Sequence, residues 1–205
     1  MFLGVLLAGA LGIPAAHGEL LVLPLLATQL LWINLVTDSA PALALGLDPA
    51  RAGAMQRPPR AKSAGVLDRR MWTGIVGVGA VMAAGTLLVL DASLPGGLIA
   101  GVGTLTHART MAFTTLVLFQ LFNVLNARSD ERSAFEDLFV NRWVWAALGL
   151  SLALQALVVY VPFLQQAFQT APLSGEDWLL CLGVGSTVLW LREIVKLFGR
   201  LLKRR

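Results

Sequence analysis

Five apolar runs of bilayer length decide what this chain can fold into. A hydrocarbon core about 30 Å thick takes roughly 20 residues of helix at about 1.5 Å each. Leu20–Leu47, Met71–Leu90 and Trp143–Phe168 reach that length, and Asp38 is the one charge among them. Trp178–Leu191 reaches it with its Arg192–Phe198 extension, and Thr110–Leu125 is shorter but uncharged. Only 14% of the 205 residues are charged and 57% are hydrophobic, against about 25% charged in ordinary soluble domains. Phe2–Ile13 is a sixth apolar run, too short to cross alone. No positive segment precedes it, which argues against a signal peptide. It reads as the second part of a spanning helix whose first part lies elsewhere. The expected fold class is an all-α membrane protein. Five full transmembrane helices and one truncated helix form a single membrane domain over residues 1–205, with Leu20–Leu47 broken near Pro41.

The basic residues orient these spans. Fifteen of the sixteen lie between Asp48 and Met71, between Ala127 and Arg142, or after Leu191. The alternate connections hold only Arg109. The positive-inside rule puts the fifteen on the cytoplasmic side, with the C-terminus among them. Nucleic acid is excluded as a partner despite the net charge of +4, because the charges are split among short segments at membrane ends. A lipid bilayer is the expected partner, and a bacterial plasma membrane suits a short-looped chain with this asymmetry. The tail "LREIVKLFGRLLKRR" reads either as an amphipathic surface helix or as a stop-transfer end with snorkelling bases.

One run breaks the apolar pattern. In "LLWINLVTDSAPALALG", Asn34, Thr37 and Asp38 share a helical face at i, i+3 and i+4. Asp38 lies ten residues before Asp48, roughly 15 Å into the membrane at helical rise. A charge there costs at least about 2.5–3.5 kcal/mol and needs a partner. Pro41 has no N–H and leaves the carbonyl four residues back, that of Thr37, without its helical donor. An amide, a hydroxyl, a carboxylate and a free carbonyl then gather hard oxygens at a helix break, an arrangement by which transporters hold cations. Gln120 and Asn123, in "TLVLFQLFNVLNARS", lie at comparable depth and serve either as further ligands or as interhelical hydrogen-bonding groups.

The other signals are quieter. The glycines of "GIVGVGAVMAAG", Gly74 to Gly85, read as packing residues, with Gly79/Ala83 and Ala80/Ala84 as small-residue pairs. His17 and His107 read as isolated, solvated residues of the outer connections. Cys181 is the sole cysteine and reads as a small buried residue. No catalytic motif and no cofactor-binding motif is found in the chain.

"QLLWINLVTDSAPALALGLDPA" followed by "RPPR" resembles the sixth transmembrane helix and next cytoplasmic loop of type II P-type cation ATPases, the calcium pumps above all. "TMAFTTLVLFQLFNVLNARS" is similar to their eighth helix, "VVYVPFLQQAF" and "WLREIVKLF" to the ends of the ninth and tenth, and "LLAGALGIP" to the end of the fifth. The resemblance implies that Asn34, Thr37 and Asp38 match the sixth-helix cation ligands. It implies that Gln120 occupies a position that is a carboxylate in two-site calcium pumps. Calcium is the expected cargo, with manganese, sodium and protons as the other candidates.

The family's Asp-Lys-Thr-Gly-Thr phosphorylation motif is absent from the 205 residues. The resemblance therefore implies partners in the rest of a pump: helices 1–4, the start of helix 5, and the cytoplasmic domains that would use Mg-ATP. This chain alone is not expected to hydrolyse ATP. The competing reading is a self-standing, non-enzymatic membrane protein, channel-like or a regulatory or assembly subunit, derived from such a pump.

Overall fold

The computed structural model describes residues 25–48, 69–94, 103–128 and 139–203. Phe2–Ile13, His17 and the "RPPR" segment lie outside them, and so does the side chain of Asp38. Among the described residues the regular structure is helical throughout. Four helices are long and apolar enough to cross a membrane: α3 (Arg69–Ala92), α4 (Leu105–Ala127), α5 (Arg142–Tyr160) and α7 (Gly175–Lys203). A fifth, broken element precedes them, made of α1 (Ala27–Ile33), a π turn (Asn34–Ser39) and α2 (Ala40–Gly46). A short α6 (Pro162–Phe168) follows α5.

The centre of the bundle is α4. Ala108, Ala112, Phe113, Val117 and Phe119 are all 0% exposed on it, and it packs along both α7 and α3. The contact with α7 is close because Gly185 faces it. A Cβ there would meet Leu118 Cβ at 2.9 Å, inside ordinary van der Waals range. A Gly185→Leu variant is therefore expected to lose about 1–3 kcal/mol through overpacking, read as a lower unfolding midpoint in detergent.

The outward faces are apolar too. Trp72, Ile75, Val76 and Leu88 on α3, and Leu179, Trp190 and Ile194 on α7, are exposed. So broad an apolar surface suits lipid and not water.

Several boundaries move relative to the sequence reading. The Thr110–Leu125 run belongs to a helix of 23 residues that starts at Leu105. Thr104 caps it by accepting from the His107 N–H at 3.2 Å, so Arg109 lies within the helix and not in a connection. The Trp143–Phe168 run is interrupted at Val161, which is extended at φ −83 and ψ 120. Pro162 disfavours the α region for the residue before it, then starts α6 at a position where its missing N–H costs nothing. The last run extends unbroken from Gly175 to Lys203. Within it Lys196 is 7% exposed and pairs with Glu193 at 3.2 Å, so this base is tucked inward and not snorkelling.

Two further readings are corrected. Gly79 has open space where a Cβ would sit, and Ala80 and Ala84 are exposed, so these residues do not pack against the described helices. Gly85, in the same run, packs as read: a Cβ there would meet Phe119 Cζ at 2.6 Å. His107 is not isolated. Its Nε2 lies 3.1 Å from Asp177 Oδ2. Asp177 also accepts from the Ser174 N–H at 2.8 Å, while Ser174 Oγ accepts from the Asp177 N–H at 3.2 Å. This reciprocal cap starts α7 and ties it to the start of α4.

Candidate cation-binding site

The broken helix is built by a register change. A π turn closes onto the N–H five residues on rather than four, is rare, and is frequent at functional positions. Here it covers Asn34–Ser39. Helix α2 then begins with Pro41 in its first turn, where proline fits best. The break expected near Pro41 thus lies immediately upstream of it, and α-helix resumes through the proline.

The register also redistributes the side chains. A π turn holds more than four residues, so residues three apart no longer share a face as they do in an α-helix. Thr37 is 4% exposed, whereas Asn34 is exposed. The Thr37 hydroxyl donates to the Ile33 carbonyl at 2.7 Å, a bond back onto the preceding turn. Asp38 contributes its backbone to the same turn.

Beside this turn lies a cleft of about 300 Å³, lined by Thr37, Pro41, Ala42, Gln120, Asn123 and their apolar neighbours. Three of the candidate residues, Thr37, Gln120 and Asn123, thus line one cavity. Asn34 does not line it. Gln120 and Asn123 are partly buried on α4. Neither amide has a hydrogen-bond partner among the described residues. Other buried amides of the bundle do: Gln29, Asn126 and Gln155 each donate to a carbonyl or hydroxyl.

Three polar groups that the sequence reading passed over hold the broken helix in place. Ser151 Oγ donates to the Val36 carbonyl, inside the π turn, at 3.0 Å. Gln155 accepts from Trp32 Nε1 at 3.3 Å and donates to Thr114 Oγ1 at 3.2 Å. Asn141 donates to the Ala44 carbonyl and to Asp48 Oδ1, each at 2.8 Å. Arg128 grips the same carboxylate from α4, with Nε to Oδ2 at 3.1 Å and Nη2 to Oδ1 at 3.2 Å, a bidentate pair. A signal for Ser151 and Gln155 was present in the sequence. They are polar residues at i and i+4 in an apolar span, the same kind of mark that singled out Gln120 and Asn123.

A bundle of bilayer-length helices around a π-broken helix, with side-chain oxygens on a cleft at the break, defines a polytopic α-helical membrane protein. The family described as "Cation transporting ATPase, C-terminus" matches residues 22–198, and the chain belongs to that family. It is 40% identical over 184 residues to calcium-transporting ATPase type 2C member 2 of Mus musculus, covering 88% of this chain and 19% of that protein. It is 35% identical over 185 residues to a calcium-transporting ATPase of Bacillus subtilis (strain 168), covering 90% of this chain and 20% of the relative. With calcium-transporting ATPase type 2C member 1 of Homo sapiens it shares 39% identity over 175 residues, 84% of this chain and 18% of that protein. The chain thus spans about a fifth of the length of the curated relatives it matches.

Proposed function

We propose that the chain is the C-terminal membrane portion of an ATP-driven calcium pump and carries part of its intramembrane cation site. The observation that supports this reading is the cleft at the π turn, lined together by Thr37, Gln120 and Asn123, whose two amides have no hydrogen-bond partner among the described residues. In an apolar bundle a free amide is costly, and a cargo cation would satisfy both. Asp38, in the same turn, would supply the charge, and Asn34 a further oxygen. The names of the relatives favour calcium over manganese, sodium or protons.

Calcium takes 6–8 oxygens. Asn34, Thr37, Asp38, Gln120 and Asn123 could supply at most about six, the low end of that range, and only one formal negative charge. The remaining ligands, the phosphorylated carboxylate and the Mg-ATP site would come from polypeptide outside residues 1–205. Those 205 residues would form one membrane domain, set in a lipid bilayer with its basic C-terminus in the cytoplasm, in a bacterial plasma membrane. Phosphorylation elsewhere in the pump would drive the helices between inward- and outward-facing states, and the π turn gives the sixth-helix segment a joint at which to change shape.

The test is ATP-dependent uptake by vesicles containing the intact pump. Uptake of radioactive calcium, saturating with calcium concentration, is expected. Transport of manganese or sodium with no calcium uptake would overturn the choice of ion. A chain that conducts calcium down its gradient without ATP would overturn the pump reading in favour of a channel.

A further inference from the structure

Pro41 removes one donor from the broken helix, and the helical register decides which carbonyl loses it. In α register the carbonyl four residues back is orphaned, that of Thr37; in π register it is the one five back, that of Val36. The structure adopts the π register over Asn34–Ser39, the turn that holds Val36 and Thr37 and ends two residues before Pro41. Val36 is 4% exposed, so its carbonyl needs a partner from the protein. Ser151 provides it, donating at 3.0 Å from a position that is itself 1% exposed. One turn along α5, Gln155 is 0% exposed and holds Trp32, which lies one turn before Val36. Ser151 and Gln155 therefore grip two successive turns of the broken helix from one face of α5.

We propose that Ser151 is a positioning residue for the cation site: its hydroxyl replaces the donor Pro41 lacks and so selects the π register that turns Thr37 toward Gln120 and Asn123. The α register would leave the Ser151 hydroxyl without the Val36 carbonyl and would shift Thr37 around the helix. The hydroxyl touches no cargo; it acts through the backbone of the turn. This role rests on the reading of the cleft as the cation site.

The experiment measures calcium-activated ATP hydrolysis by the intact pump with Ser151→Ala, Ser151→Cys and Ser151→Thr. Loss of a buried donor is expected to raise the calcium concentration for half-maximal activity about tenfold in Ser151→Ala, with the maximal rate kept within about twofold. Ser151→Cys, a weaker donor of similar size, falls between Ser151→Ala and the parent, and Ser151→Thr, which keeps the hydroxyl, stays near the parent. Thermal unfolding of each variant separates a shifted site from a damaged bundle. An unchanged half-maximal calcium concentration in a folded Ser151→Ala pump overturns the proposal. Equal shifts in the alanine and threonine variants overturn it as well. Calcium activation that survives Asp38→Asn removes the cation-site reading itself. Calcium activation lost in Asp38→Asn and untouched in Ser151→Ala removes only the positioning role.

Discussion

Asp38→Asn in the intact pump is expected to lower calcium sensitivity by at least about 100-fold, equivalent to about 2.8 kcal/mol, while the protein still folds and binds nucleotide. Asparagine keeps the shape and one oxygen and removes the charge. In the broken helix, Asp38 is the only ionisable residue between Leu20 and Leu47. An ionic ligand a few ångströms from a cation is worth several kcal/mol at the effective dielectric of a protein site, and among the described residues lining the cleft there is no carboxylate to share the load, position 120 being Gln. The measurement is ATP hydrolysis against free calcium for parent and variant, with nucleotide binding and thermal unfolding as controls. Undiminished calcium-activated hydrolysis would remove Asp38 from the site. Stability is expected to rise slightly, since a charge leaves the membrane interior.

What the sequence made legible here is chemistry that is local and costly. Apolar runs of bilayer length, a carboxylate inside one of them and a proline three residues on each carry a large energetic consequence that needs no tertiary information. The four uninterrupted spans and the interrupted one follow from that. Helix ends were misread where a charge served as the marker. Arg109 was taken to close a connection, although Thr104, three residues before His107, is the capping signal that starts α4. The pairing of His107 with Asp177 joins residues 70 apart in sequence, which no local pattern reports. The small-residue run is legible only in part for a similar reason. Its composition marks Gly74 to Gly85 for packing, but only the packed bundle shows that Gly85 meets Phe119 while Gly79 meets none of the described residues.

The π register lay beyond the sequence for a deeper reason. Pro41 excludes one hydrogen bond in either register, and the two alternatives differ only in which carbonyl is orphaned. The choice depends on whether a neighbour can reach Val36 or Thr37, and that neighbour, Ser151, is 115 residues away. The same register sets which candidate ligands face the cleft. The i, i+3, i+4 pattern places Asn34 beside Thr37 on an ideal α-helix, but the wider turn buries Thr37 and leaves Asn34 exposed.

The end of the broken helix makes the second strong prediction, because one side chain there does three things. Asn141 is 3% exposed. Its Oδ1 accepts from the Trp143 N–H at 3.0 Å and caps α5, while its Nδ2 donates to the Ala44 carbonyl and to Asp48. Arg128 completes the clamp from α4, so α2, α4 and α5 are joined at one end of the bundle. Removing an N-cap costs about 1 kcal/mol, and each buried hydrogen bond about 1 more, with a larger share where the acceptor is charged. Asn141→Ala is therefore expected to destabilise by about 2–4 kcal/mol, read from denaturant unfolding in mixed micelles. Asn141→Ser keeps a capping oxygen and loses the bridge, so it should recover about 1 kcal/mol of that loss. Asn141→Asp keeps the cap as well, but sets a second carboxylate against Asp48 beside Arg128, and should be at least as damaging as alanine. A loss below 1 kcal/mol in Asn141→Ala would show that the Arg128–Asp48 pair holds this end unaided. The predicted order, serine above alanine and alanine no worse than aspartate, separates capping from bridging in a single series.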